Sequence, residues 1–238
     1  MSLPREMGII AADEFMQTLR SKKALFALGA IGLAFIAVYL SDALQVLMLV
    51  LFAPAKILPL SLLLSYLLFL SVIPVLCLLF GFDLLSGEVQ SQTARFITTY
   101  YSRTALVIGR FVGSWLFIAA TILAVMLSAA TYALAKLSTN AFGQACYVSL
   151  YLSLFAAAIL SLVCFLSSIT SRQTTTLYLS TLCIAALVLL KDQAWISPFS
   201  QLSITMALPP PIGWMPHFLL FSAACLLLSI IAFQRRDL

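Results

Sequence analysis

The chain has 238 residues, of which 63% are apolar and only 9% are charged. A soluble globular domain carries roughly 25% charged residues, so this composition excludes one and indicates a protein embedded in lipid. The net charge of +5 does not predict nucleic-acid binding, because the basic residues are scattered between apolar runs rather than gathered into one patch.

The apolar runs are long and unbroken, whereas a membrane barrel would show short alternating segments of about 10 residues. The sequence therefore predicts an all-α polytopic membrane protein, with residues 1–238 forming a single transmembrane domain. An amphipathic helix is expected over residues 7–23, so that residues 1–23 form a cytoplasmic elbow helix at the membrane surface. The first apolar run should be a retained anchor, and residues 41–56 an interfacial or re-entrant segment.

Six spans are predicted, each close to or above the length that crosses a bilayer, although the fifth is short. They cover about residues 24–40, 57–80, 106–135, 145–169, 176–190 and 217–233. Pro74 is expected to kink the second span. Residues 192–216 should form an outer loop or a re-entrant segment before the last span.

Six spans place both termini on one side of the membrane, and the basic residues indicate which side. Ten of the thirteen fall on the side of the termini, and only Lys56, Lys136 and Lys191 fall on the other. The ten are Arg5, Arg20, Lys22, Lys23, Arg95, Arg103, Arg110, Arg172, Arg235 and Arg236. By the positive-inside rule, the chain is predicted to be a multi-pass protein of the cell (inner or plasma) membrane with both termini in the cytoplasm.

Residues 82–105 then form a cytoplasmic loop between spans two and three. Its centre, from Glu88 to Tyr101, can form a short helix that gathers apolar and aromatic side chains on one side. These are Val89, Phe96, Ile97, Tyr100 and Tyr101. They could lie on the lipid surface, pack against the protein's own helix ends, or dock into a groove on a cytoplasmic partner.

The same stretch resembles the signature of ABC-2 type transporter permeases, in particular the NosY-like group. The resemblance is carried by Phe82-Asp83, Ser86-Gly87-Glu88, Thr93, Arg95, Ser102-Arg103 and Gly109-Arg110-Phe111. Two positions depart from the family's pattern: Gln92 stands where it often has Gly, and Tyr101 where it often has Pro.

The resemblance implies a transmembrane permease subunit of an ATP-binding cassette transporter, expected to be an exporter. Two copies of a P-loop ATPase subunit would bind ATP and Mg, and a second copy of this chain or a close relative would complete the permease. The loop between spans two and three would be the coupling helix that receives the ATPase. Its expected coupling residues are Asp83, Gly87, Glu88, Thr93, Arg95, Phe96, Ile97, Tyr100 and Arg103.

The residues themselves also indicate that ATP is hydrolysed on another chain. No glycine is followed by lysine, so there is no recognisable P-loop, and this chain is expected to be no enzyme and to carry no cofactor of its own. His217 has no metal-binding cluster near it in the sequence and is interpreted as an interfacial residue. Gly109 and Gly113 are spaced for close helix packing, although backbone tolerance would explain them almost as well.

Other classes of membrane protein fit less well. An ion-coupled secondary transporter usually places charged residues within its spans, and the acidic residues here lie at span ends or in loops. An intramembrane protease would need a histidine within the membrane. A structural or assembly subunit of a membrane complex remains the alternative. The spans offer no charged pore, which favours an apolar or amphipathic substrate and leaves the substrate-binding residues unassigned.

Overall fold

In the computed structural model, the described residues are 3–29, 31–33, 36, 60–90, 98–137, 141–189 and 215–235. Nearly all of them are helical and none of them lies in a strand, which confirms the prediction of an all-α chain. The elements are α1 (Leu3–Arg20), α2 (Leu60–Gly81), α3 (Ser86–Gln90), α4 (Arg103–Leu137), α5 (Phe142–Ile169), α6 (Gln173–Leu189) and α7 (Met215–Gln234). A further helical stretch, residues 22–29, follows α1 after a bend at Ser21.

Four of the described helical segments are long and apolar enough to cross a membrane. They are Ser61–Gln90, Arg103–Ala135, Phe142–Ile169 and Met215–Gln234, at the places predicted for spans two, three, four and six. The 17 residues of α6 rise only about 25 Å, less than the ~30 Å hydrocarbon core. The first span is only partly described, and residues 41–56 and 192–214 lie outside the described residues, so the count of six stays a prediction.

Helix α5 is the centre of the bundle. It packs against α2, α4 and α7, and most of its residues are buried. Many of them are Ala or Ser, which let neighbouring backbones approach closely where lipid supplies no hydrophobic drive. Phe218 of α7 meets Tyr151 and Phe155 of α5 edge-on, with ring centroids 5.6 Å apart in both pairs. Small residues and interlocking rings therefore hold the spans together.

Helix α4 is longer than a membrane is thick. Its 35 residues rise about 52 Å, well beyond the ~30 Å of hydrocarbon that a span must cross. Arg103 and Arg110 both lie in its first eight residues, where a charge within the hydrocarbon would be costly. The first turns of α4 are therefore the part that extends beyond the hydrocarbon.

Five parts of the chain that are far apart in sequence meet at this end of the bundle, which we call the polar end. Glu6 of α1 accepts a hydrogen bond from the Ser102 backbone N–H, just before α4 begins. Three further contacts complete the polar end: Lys23 with Asp83, the Gln173 N–H with the Gln90 side chain, and Arg103 with the Gln234 carbonyl oxygen. The polar end therefore comprises residues 3–23, 82–90, 98–110, 170–173 and 234–235.

Helix α1 packs along the first turns of α4, and two glycines permit this approach. A Cβ added at Gly109 would lie 2.7 Å from the Ile10 Cβ, and one at Gly113 would lie 2.6 Å from the Ala11 carbonyl oxygen and 2.8 Å from the Glu14 Cβ. Ile10, Ala11 and Glu14 share one face of α1, as their spacing requires. The predicted close packing at Gly109 and Gly113 is confirmed, and its partner is α1.

The close approach of α1 to the two glycines of α4 can be tested with one added methyl group. Gly113→Ala should lower the free energy of unfolding by about 1–3 kcal/mol, because the methyl group must push the α1 backbone away. Gly8→Ala is the matched control, since a Cβ at Gly8 would meet nothing within 4 Å. Thermal unfolding in detergent should show Gly8→Ala as stable as wild type or slightly more so. Equal melting temperatures for the two variants would show that the approach of α1 to α4 does not depend on Gly113.

Candidate functional site

The candidate site is residues 82–90, a turn followed by the short helix α3, which we call the coupling segment. The backbone N–H groups of Leu85 and Ser86 donate to the Ser167 side-chain oxygen of α5, at 3.1 and 3.0 Å. The first N–H groups of a helix have no partner within it, so a hydroxyl from another helix here takes the place of a local cap. The start of α3 is thereby fixed to the central helix of the bundle.

Arg110 of α4 is the cation that binds the coupling segment. Its guanidinium donates to the Leu84 carbonyl oxygen at 3.0 Å, contacts the Glu88 carboxylate, and lies 3.7 Å from the Glu14 carboxylate of α1. The Arg110 and Glu88 side chains are only 15% and 14% exposed. The planar guanidinium can bind several oxygens at once, so one residue joins α1, α4 and the coupling segment.

A second ion pair fastens the other end of the coupling segment. The Lys23 ammonium lies 2.6 Å from both carboxylate oxygens of Asp83, and it also sits 5.2 Å from the centre of the Phe82 ring. Lys23 and Asp83 are 27% and 29% exposed, so water weakens this pair more than the contacts of Arg110. It links the coupling segment to the helical stretch that begins the first predicted span.

The far end of α3 contacts the turn between α5 and α6. The Gln90 side-chain oxygen accepts a hydrogen bond from the Gln173 backbone N–H at 3.3 Å. A Cβ at Gly87 would lie 2.7 Å from the Gln173 side-chain nitrogen, so Gly87 leaves room for that amide. Through these contacts and those of Ser167, Arg110 and Lys23, the coupling segment touches four other parts of the bundle.

The residues expected from the sequence to couple to an ATPase divide into three groups. Asp83, Gly87 and Glu88 lie within the coupling segment. Tyr100 and Arg103 lie at the start of α4, where Tyr100 is 82% exposed and Arg103 donates to the Gln234 carbonyl oxygen at 2.9 Å. The remaining four, Thr93, Arg95, Phe96 and Ile97, lie outside the described residues.

Sequence reasoning missed the partners that hold the coupling segment. Arg110 was recognised only as part of the family signature, although an arginine two turns into a long apolar helix is itself a signal of a buried ion pair. Lys23 was counted only as a topogenic charge, and Glu14 as the polar side of an amphipathic helix. Ser167 and Gln173 gave no signal, since they lie about eighty residues from their partners and are ordinary residues for their positions.

The family model described as ABC-2 family transporter protein matches residues 8–223. The chain belongs to the ABC-2 family of transporter proteins. No curated protein matches it. As an ABC-2 protein it is a membrane permease of an ABC transporter, a component that normally works with an ATPase and is typically not itself catalytic.

The ABC-2 chain thus keeps three acids and two cations together at its polar end. They are Glu14, Asp83, Glu88, Lys23 and Arg110. Burial raises the pKa of the Glu14 carboxyl above its usual value, and the nearby Arg110 guanidinium opposes that rise without cancelling it. Folding therefore disfavours the ionised form of Glu14, and Arg110 offsets part of that cost.

Removing Arg110 should destabilise the permease more than removing any other basic side chain of α4. Arg110→Ala is expected to lower the free energy of unfolding by about 3 kcal/mol, because it leaves two mostly buried carboxylates without their cation. Arg103→Ala, at the partly exposed first residue of the same helix, should cost less than about 1 kcal/mol. Thermal unfolding in detergent measures the loss of stability of each variant. Equal losses would show that Arg110 stabilises the polar end no more than Arg103 does.

Replacing Glu14 should raise the stability of the permease rather than lower it, and the size of this gain should depend on pH. A carboxyl whose folded-state pKa is raised contributes stability below its unfolded pKa, and that contribution is lost as pH rises through the folded pKa. Glu14→Gln, which cannot ionise, should therefore gain on wild type in melting temperature between pH 4.5 and pH 8. If the gain of Glu14→Gln over wild type instead shrinks as the pH rises, Arg110 must stabilise the ionised Glu14 carboxylate by more than burial disfavours it.

Proposed function

We propose that this ABC-2 permease exports an apolar or amphipathic substrate, driven by ATPase subunits that dock on its coupling region, residues 82–105. In this proposal two copies of the chain, or one copy and a close relative, stand over two P-loop ATPase subunits that bind ATP and Mg. Residues 1–23 form the elbow helix, and residues 192–216 form the outer loop. Among permeases of this family, the signature residues favour the NosY-like group.

The observation that carries the proposal is the way the coupling segment is fastened. It is bound by Arg110 to α4, by Ser167 to α5, by Gln173 to α6 and by Lys23 to the helical stretch after α1. A displacement of α3 by a few ångströms must therefore either break these contacts or move the helices that make them. Packed helices shift as bodies rather than deform, so a push on α3 would be passed to several spans together.

The side chains next to the coupling segment support docking of a partner. Tyr100 is 82% exposed, and a large aromatic side chain of this kind is a common anchor in protein interfaces. Tyr101, its neighbour, packs against the core of the permease. The surface therefore has an anchor that points outward beside a residue that fixes its backbone. Phe96 and Ile97 would extend the same apolar contact by their sequence spacing.

The distribution of charge favours a cytoplasmic position for the polar end. Four basic residues from three separate parts of the chain belong to this end: Arg20 and Lys23, Arg110, and Arg172. Basic residues flanking membrane spans concentrate on the cytoplasmic side, where an ATPase could reach them. The proposal therefore places α1, the coupling segment and the C-terminal end of α7 in the cytoplasm.

The docking proposal predicts that Tyr100→Asp releases the ATPase. The permease, purified in mild detergent from its native membrane through a tag, should bring with it a P-loop subunit and ATP hydrolysis that the chain alone lacks. Tyr100→Asp should reduce the recovered ATPase at least about tenfold, because burying an unpaired carboxylate costs several kcal/mol.

Two control variants separate docking from other effects. Tyr100→Phe keeps the aromatic anchor and should retain the ATPase. Thr174→Asp adds the same charge to an exposed residue of α6 at the polar end and should also retain it. Full recovery of the ATPase with Tyr100→Asp would contradict docking at Tyr100. Absence of any P-loop subunit from the wild-type sample would contradict the coupling proposal as a whole.

A further inference from the structure

We propose that each permease chain holds one phospholipid of the surrounding bilayer, with an ethanolamine headgroup, in a groove between the stretch that includes residues 22–29 and 31–33 and helix α2. The proposal depends on the chain being embedded in a membrane, and it does not depend on the docking of an ATPase. Two adjoining cavities carry it, one polar and one apolar.

The apolar cavity is a groove of about 430 Å³. One wall is formed by residues 25–29 and 33 and the other by the second half of α2. Its lining residues are Leu25, Phe26, Gly29, Leu33, Val72, Val75, Leu76 and Leu79. Leu25 and Phe26 are 65% and 64% exposed, and Gly29 widens the groove because a Cβ there would meet nothing within 4 Å.

The polar cavity, of about 220 Å³, lies at the headgroup end of the same two segments. Both signs of charge line it: Lys23 and Arg110 are cations, and Glu14 and Asp83 are acids. The Lys23 ammonium has three N–H donors, and two of them suffice for the Asp83 oxygens. A third donor can bind a phosphate oxygen, while the two carboxylates can accept hydrogen bonds from an ammonium group.

The two cavities are lined by residues that are near neighbours in the chain. Lys23 precedes Leu25 and Phe26 by less than one helical turn, and Asp83 follows Leu79 by four residues. Lys23 and Leu33 are ten residues apart, a separation that in an α-helix rises about 15 Å, which is half of the ~30 Å hydrocarbon core. The apolar groove therefore has the depth of one leaflet and the charged cavity lies at its surface, which is the arrangement of a single phospholipid.

The mixture of charges selects the headgroup. An ethanolamine headgroup carries a phosphate for Lys23 and an ammonium whose N–H groups can donate to Glu14 and Asp83. A choline headgroup has the same charges but no N–H donor. A glycerol headgroup leaves the two carboxylates facing an anion. A second protein helix could cover the apolar groove, but its apolar side chains would offer no phosphate oxygen to the third Lys23 N–H donor.

The test is native mass spectrometry of the purified full-length permease, delipidated and then titrated with lipids of identical acyl chains. The probes are phosphatidylethanolamine, phosphatidylcholine and phosphatidylglycerol. We expect one tightly bound phosphatidylethanolamine per chain and at least about tenfold weaker binding of the other two, since each loses charge-assisted hydrogen bonds. Equal affinities for the three lipids would overturn the proposal, and so would a wild-type chain that binds none of them.

Matched variants place the lipid in the groove. Gly29→Leu fills the groove from one wall and Val75→Phe from the other, and either should lower phosphatidylethanolamine affinity about tenfold. Gly32→Leu adds the same side chain as Gly29→Leu, also into open space, at a residue that does not line the groove. It should bind lipid as wild type does. Equal binding by Gly29→Leu and Gly32→Leu would overturn the proposal, and so would a change of oligomeric state with Gly29→Leu alone, which would assign the groove to a second chain.

Discussion

The arrangement of the polar end depends on one cation, Arg110. Its guanidinium binds the Leu84 carbonyl oxygen and the Glu88 carboxylate of the coupling segment and lies near Glu14 of α1. Removing a charge from water costs more than a single ion pair usually returns, so such a cluster adds little net stability compared with apolar packing. Its larger effect is geometric, because an arginine with partners on two sides allows α1 and the coupling segment only one position relative to α4.

Packing and charge depend on each other at this site. Glu14 can approach Arg110 only because Gly113 lets α1 come against α4, where a Cβ would lie 2.8 Å from the Glu14 Cβ. Ser167 provides the corresponding contact on the other side, since it caps α3 from the central helix. The coupling segment is therefore held by polar contacts at its start, middle and end. Movement of this segment would disturb α4, α5 and α6 together, as a transmitter of force between an ATPase and the spans requires.

Much of this fold could be predicted from the sequence, because lipid leaves few choices. Composition and unbroken apolar runs indicated helices, and the predicted spans two, three, four and six coincide with long helices. The spacing of Gly109 and Gly113 predicted close packing but not its partner, since α1 lies about a hundred residues earlier. The family signature predicted that residues 82–105 couple to an ATPase, and this role stays a prediction.

What the sequence could not provide was pairing across the chain. Glu88 and Arg103 were both expected among the coupling residues, but the guanidinium that contacts Glu88 belongs to Arg110, two turns further along α4. Ser167 and Gln173 look like ordinary residues of a helix and a turn until the coupling segment is brought against them. Such pairings depend on how helices align in three dimensions, and no local pattern of hydrophobicity or charge contains that information.

The most direct measurement is a double-mutant cycle on the permease's stimulation of ATP hydrolysis by its partner subunit, with Glu88→Gln, Arg110→Gln and the double variant. If the Glu88–Arg110 contact holds the coupling segment in place, each single variant should reduce stimulation, and the double variant should be little worse than the more severe single variant. Reductions that multiply, as for two independent sites, would show that the contact does not hold the segment.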